Sequence, residues 1–139
     1  MIVLDTNILS ELMRPMPNEQ VLAWVDAQTV SELAITAITV AEILYGIERL
    51  ANGKRKQNLH AQAIAMFKED FADHILPFDA DAAVHYAQLT ATSEAAGQPP
   101  SMGDAQIAAI CRLHRASLAT RNIRDFKNFE LVMINPWDI

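Results

Sequence analysis

Apolar residues recur along the chain in two rhythms. Short, mostly apolar runs read as strands: Ile2-Val3-Leu4, Leu33-Ala34-Ile35-Thr36, His74-Ile75-Leu76-Pro77-Phe78, Ala116-Ser117-Leu118-Ala119-Thr120 and Leu131-Val132-Met133-Ile134. Between them, apolar residues return every three or four positions, the spacing of a half-buried helix. The first helix runs from just after Asp5 to about Met13, on Ile8, Leu9 and Leu12. Arg14-Pro15-Met16-Pro17 stops it, because proline lacks an amide donor and restricts its predecessor. Asn18 caps a second helix carrying Val21, Leu22, Trp24 and Val25, so the two form a hairpin packed on the sheet. Thr39 reads as the N-cap of a third helix through Val40, Ile43, Leu44, Ile47 and Leu50, closed by Asn52-Gly53. Lys54-Arg55-Lys56 reads as a basic, solvated loop, followed by an amphipathic helix from about Gln57 to Phe71.

Pro77 assigns the third strand to an edge or a strand end. Asp79 caps a helix from about Ala80 to Ala96, and Gly97-Gln98-Pro99-Pro100 is the clearest loop. Ser101 starts a helix from Met102 to His114, and Asn122 to Phe126 is a turn or short helix. Strands alternating with helices predict an α/β fold, a parallel sheet covered on both faces. The 139 residues show no repeat, low-complexity tract or linker, which predicts a single domain over 1–139.

Composition narrows the classes. The richest apolar stretch, Leu33 to Ile47, is broken by Thr36, Thr39 and Glu42, so no membrane-spanning segment is expected. Asp5 stands where a signal peptide needs apolar residues, and Cys111 is the only cysteine, so a cytoplasmic protein is expected. Cys111 lies in an apolar helical pattern and reads as a buried, inert thiol. The net charge of −6 argues against binding nucleic acid through overall charge; such a role needs local basic clusters or metal ions at the contact.

The candidate chemistry lies in polar positions that follow strand ends or open helices: Asp5, Glu42, Asp104 and the Asn122/Asp125 pair. Each has a structural explanation when taken alone. Asp5 can cap a helix, Thr39-x-x-Glu42 matches a capping box, Ser101-x-x-Asp104 nearly does, and Asn122 and Asp125 form turns. If strands one, two and four are neighbours, however, all of these positions meet at one sheet edge. Carboxylates gathered there repel one another or hold a cation. Hard divalent ions take such oxygen ligands, activate water and clamp phosphate oxygens, so the set points to metal-dependent phosphodiester hydrolysis. His60, His74, His85 and His114 show no zinc spacing, and four glycines leave no phosphate-cradling loop.

Six blocks in order carry a family resemblance: Ile2-Val3-Leu4-Asp5-Thr6-Asn7, Thr39-Val40-Ala41-Glu42-Ile43, Ile75-Leu76-Pro77-Phe78-Asp79, Asp104-Ala105-Gln106-Ile107-Ala108-Ala109, Leu118 to Phe126, and Asn135-Pro136-Trp137. Over essentially its whole length the chain resembles the PIN-domain ribonucleases, and among them the VapC/FitB-like toxins of bacterial toxin–antitoxin pairs. The resemblance implies a three-layer α/β/α PIN-like fold with a mainly parallel five-stranded sheet. It implies Mg²⁺ or Mn²⁺ held by Asp5, Glu42 and Asp104, with Asn122 as a fourth catalytic position. Thr6, Thr120 and Asp125 would support those ligands without touching the ion. Many relatives carry Asp where this chain has Asn122, which keeps an oxygen donor but adds no charge. Arg14, Lys54, Arg55, Lys56, Arg121 and Arg124 are the candidate contacts to RNA. The implied function is a metal-dependent endoribonuclease toxin, a homodimer bound by a cognate antitoxin and able to form higher assemblies with it. The alternative is a PIN scaffold with weakened catalysis, acting mainly within a DNA-binding antitoxin complex.

Overall fold

The computed structural model describes all 139 residues, Met1–Ile139. Five strands, β1 (Ile2–Leu4), β2 (Leu33–Thr36), β3 (Ile75–Leu76), β4 (Ser117–Ala119) and β5 (Met133–Ile134), form one sheet in the order β3-β2-β1-β4-β5. Every pairing is parallel, with Val3 opposite Ala34 and Leu118, and Leu4 opposite Ala119. The helices are α1 (Thr6–Leu12), α2 (Glu19–Asp26), α3 (Ala37–Glu48), α4 (Lys54–Glu69), α5 (Ala80–Ala95), α6 (Met102–His114) and α7 (Ile123–Phe126).

The two-residue period of the strands divides the interior into two cores. Val3, Ala34 and Leu118 point to one face, where Leu89 of α5, Ile107 and Cys111 of α6 and Phe126 of α7 cover them. Leu4, Leu33, Ile35 and Ala119 point to the other, against Ile8 and Leu9 of α1, Val21 of α2, Ile43 and Ile47 of α3 and Phe67 of α4. The result is the three-layer α/β/α arrangement expected. Burial on both faces is also why the central strands are continuous apolar runs. Pro77 follows β3 directly, and β3 is an edge strand, as the proline required.

Strand order reverses at β1: the chain builds outward through β2 and β3, then returns to the other side for β4 and β5. Open α/β sheets leave a crevice at such a reversal, outside the carboxyl ends of the strands. β1 runs into Asp5 and β4 into Thr120, so these two residues flank the crevice.

Two helix starts differ from the sequence reading. The third helix is capped by Thr36, whose hydroxyl accepts the Thr39 amide at 3.1 Å; Thr39 lies inside the helix. Lys54-Arg55-Lys56 is the first turn of α4, with Gly53 as the N-cap, and not a loop. All three residues are good helix formers, and that preference outweighs the unfavourable placement of cations at a helix N-terminus.

Candidate active site

Asp5 is built in three ways. It caps α1, accepting the Thr6 amide at 2.8 Å on Oδ1. The Thr120 hydroxyl donates to its Oδ2 at 2.7 Å, across the crevice from β4. Asn7 Nδ2 donates to the same oxygen at 3.2 Å. The Asp5 backbone amide also extends the β1–β4 ladder to Ala119 O at 2.9 Å. Asp5 is 5% exposed, and burial raises its pKa in spite of these donors, with the negative charge of Glu42 adding to the rise.

The corrected cap changes the meaning of Glu42. Its capping-box partner would have been Thr39, which caps nothing; its hydroxyl lies 3.0 Å from that of Thr6. Glu42 instead accepts the Thr6 hydroxyl at 2.6 Å on Oε1. Its other oxygen leans over the start of α6, where a Cβ placed on Gly103 would lie 3.2 Å from Oε2. A side chain at residue 103 would crowd the carboxylate, which accounts for glycine in the first turn of a helix.

Asp104 follows at once. Ser101 Oγ accepts its amide at 3.2 Å, which completes half of the expected box and fixes the carboxylate at the head of α6. Its pKa is pushed up to about 6, first by burial and then by repulsion from Asp5, Asp125 and Glu42. Asp5, Glu42 and Asp104 thus feel one another through space, and all three line one cleft of about 510 Å³ together with Thr6, Asn7 and Asn122. None of the three is ion-paired.

The remaining candidates divide. Thr6 donates to the Glu42 carboxylate and Thr120 to that of Asp5. The Asn122 backbone amide donates to Thr120 Oγ1 at 3.0 Å, while its side chain, exposed in the cleft, bonds nothing and caps no helix. Asp125 is exposed and lines a neighbouring depression with Asp104 and Arg124. Arg14 and Arg121 line the cleft itself. Lys54 and Arg55 line a groove of about 750 Å³ that shares Thr6, Arg14 and Glu42 with the cleft. Lys56 faces away: its Nζ bonds Glu48 O at 3.0 Å and Asn52 Oδ1 at 3.3 Å. Cys111 is fully buried with its thiol pushed up to about 12, inert as expected.

Three residues were invisible as site components in the sequence. Asn7 joins Asp5, Thr120 and the Arg121 amide, Glu11 lines the cleft, and Trp137 reaches it from beyond β5. Only the Asp5-Thr6-Asn7 run hinted at the first. The other two depend on packing between distant segments.

The donor set suits a hard divalent ion. It is all oxygen, it carries three unpaired negative charges, and it offers no thiol or imidazole. The carboxylates face one cleft without closing into a ready cage of three ligands. An ion that keeps part of its water shell matches that openness.

A parallel α/β sheet with unpaired carboxylates at its switch point has the site that a metal-dependent phosphodiester hydrolase requires. The chain belongs to the PIN domain family, whose model matches residues 2–130. Nucleases of this family depend on divalent metal ions. The chain is 40% identical over 137 residues to Toxin FitB of Neisseria gonorrhoeae, covering 99% of each chain. It is also 40% identical over 138 residues to VapC ribonuclease Y4jK of Sinorhizobium fredii, again covering 99% of each. The crystal structure of FitAcB from Neisseria gonorrhoeae superimposes with a TM-score of 0.94 at 40% identity, covering 100% of both chains. No helix of the chain is long and apolar enough to cross a membrane.

Proposed function

We propose that the protein is an endoribonuclease toxin of a toxin–antitoxin pair, a single PIN domain across 1–139 that uses Mg²⁺ or Mn²⁺. One observation carries the mechanism: Asp5, Glu42 and Asp104 share one cleft at the reversal of strand order, with no cation of the protein bound to any of them. Asp5, Glu42 and Asp104 would hold the ion. When bound, the ion supplies Lewis-acid polarisation of the phosphodiester and a more acidic water. The chain supplies the geometry. Thr120 and Asn7 fix Asp5, Thr6 fixes Glu42, and Ser101 fixes the turn that bears Asp104. Without a cation the three carboxylates repel a phosphodiester, so the same residues that prepare the chemistry also make it metal-dependent. Arg14 and Arg121 in the cleft, with Lys54 and Arg55 along the adjoining groove, provide local positive charge that the net charge of −6 does not.

The relatives named a toxin and a ribonuclease support this reading, and so does the likeness to FitAcB. An antitoxin that inserts a basic side chain among the three carboxylates would block the cleft by charge complementarity. Homodimer formation belongs to the same reading.

The experiment is cleavage of RNA and matched DNA with Mg²⁺ or Mn²⁺, comparing wild type with Asp5→Asn. RNA cleavage falling about a hundredfold or more in the variant is the expected result. Equal activity in the two proteins, or activity surviving excess chelator, rules the mechanism out. Asn122, which offers an oxygen donor but no charge, supports a second reading, a scaffold with weakened chemistry that acts mainly by holding a DNA-binding antitoxin. Metal-dependent RNA cleavage by the wild type decides between them; Asn122→Asp then changes the metal dependence if the position faces the ion and leaves it fixed if Asn122 only shapes the turn.

A further inference from the structure

The two guanidinium groups in the cleft are not equivalent. Arg14 is spent on Glu11, with Nη1 at 3.2 Å from both carboxylate oxygens. Arg121 has no ion pair, and its Cζ lies 5.0 Å from the centroid of the Trp137 ring. Both residues of this stack are anchored. The Arg121 amide donates to Asn7 Oδ1 at 3.2 Å, which ties it to the residue that also holds Asp5. The Trp137 amide donates to Asn135 Oδ1 at 3.0 Å, and Asn135 Nδ2 bonds Asp138 at 3.2 Å. The half-buried indole packs against the core on the α1 side of the sheet.

A guanidinium stacked on an aromatic face keeps its edge free. Its N–H donors lie in the plane, and that planar fork fits two phosphate oxygens at once. An acidic cleft would otherwise pull a flexible arginine onto its own carboxylates. The indole gives Arg121 a competing seat and keeps its donors available.

We infer that Arg121, seated over the Trp137 ring, grips a phosphodiester of the RNA strand next to the one being cut. Arg121 touches the substrate, and Trp137 is a positioning residue that acts through it. The inference rests on the ribonuclease reading and adds the point at which the strand is registered. It also separates Arg121 from Lys56, which faces away, and from Arg14, which is already paired.

The test measures binding and cleavage of a short single-stranded RNA of mixed sequence. Binding is read in the Asp5→Asn background so that the strand stays whole, and thermal melting checks the fold of each variant. Arg121→Ala weakens binding about tenfold and lowers the slope of log affinity against log salt by about 0.7, the loss of one single-strand phosphate contact. In the active protein the same change raises KM more than it lowers kcat. Trp137→Ala weakens binding about threefold with the salt slope kept, because the charge remains, and Trp137→Phe restores most of the loss. The Arg121 effect persists on an abasic strand of equal length.

Unchanged affinity and slope in Arg121→Ala overturn the inference. So does an Arg121 effect that vanishes on the abasic strand, which would make the stack a seat for a base. So does an Arg121→Ala protein that handles RNA normally but loses an acidic partner protein. Should Trp137→Ala unfold, Arg121→Ala and Trp137→Phe still decide. A wild-type protein that cleaves RNA beside an equally active Arg121→Ala removes only the clamp. A wild type that neither binds nor cleaves RNA with Mg²⁺ or Mn²⁺ removes the ribonuclease reading and the clamp with it.

Discussion

Helix α1 is bracketed by two carboxylates that are almost equally hidden: Asp5 at its N-cap, 5% exposed, and Glu11 near its end, 6% exposed. Their surroundings drive them in opposite directions. Glu11 accepts the Asn18 amide at 2.9 Å and pairs with Arg14, so its pKa is lowered, first by the Asn18 bond. It pins the start of α2 to the end of α1 and closes the Pro-rich turn between them. Asp5 has hydroxyl and amide donors but no cation, and it shares its cleft with Glu42 and Asp104; its pKa is raised, first by burial and then by the charge of Glu42. Low surface exposure alone does not separate a structural carboxylate from a functional one here. The separation lies in whether the chain provides the opposite charge or leaves it to be supplied from outside.

Glu11→Ala breaks the structural side of this comparison and has the largest expected effect on stability. It strands the Asn18 amide and frees Arg14, costing about 2 kcal/mol in urea unfolding. The pH dependence has a fixed sign. A lowered folded-state pKa contributes stability that is fully present above the ordinary value of 4.5 and is lost as pH falls through the folded value. The variant therefore shows a flatter acid limb than wild type, and parallel limbs would show that Glu11 carries no such linkage.

Gly103→Ala sharpens the functional side. Replacing a helical glycine raises stability by up to about 1 kcal/mol, since the exposed Glu42 side chain moves aside. That same movement displaces a carboxylate from the cleft, so metal-dependent cleavage falls about tenfold. More stability with less activity is the diagnostic pair; unchanged cleavage would show that Glu42 needs no fixed seat above α6.

Asp104→Asn has the smallest effect on stability and the opposite sign to Glu11→Ala. In metal-free protein the raised pKa means that ionised Asp104 opposes folding. The cost is absent below the ordinary value of 3.8, grows as pH rises to about 6, and stays constant above. The variant should melt about 2 °C higher than wild type above pH 6, a small gain because the group is partly exposed, with no gain in acid. Excess Mg²⁺ reverses the order, because only the wild type gains from binding the ion. A variant that never exceeds wild type would mean that ionised Asp104 carries no folding cost.

The strands and most helices were legible because their periods differ and because both faces of the sheet are buried. The convergence of Asp5, Glu42 and Asp104 was legible for the same reason: strand ends and helix starts follow from the pattern, and parallel order brings them together. The Thr36 cap was not legible. Thr36 and Thr39 are chemically identical candidates three residues apart, and only the end of β2 decides between them. Lys54 to Lys56 carried conflicting signals, high helix propensity against a run of like charge, and the propensity prevailed. β3 and β5 have two residues each, so their ends lie below the resolution of any period. The Arg121–Trp137 stack joins segments that no local pattern connects.

The hydrogen bond from Thr120 to Asp5 spans 115 residues. Its formation requires β4, encoded more than a hundred positions later, to pair alongside β1. Such non-local closure is the slow part of assembling a parallel sheet. During refolding, activity should therefore return with the last sheet-forming phase and not with the helices. A partly folded chain, however helical, would hold an aspartate without its second wall. Assembly order would thus withhold a reactive site from every intermediate that lacks the complete sheet.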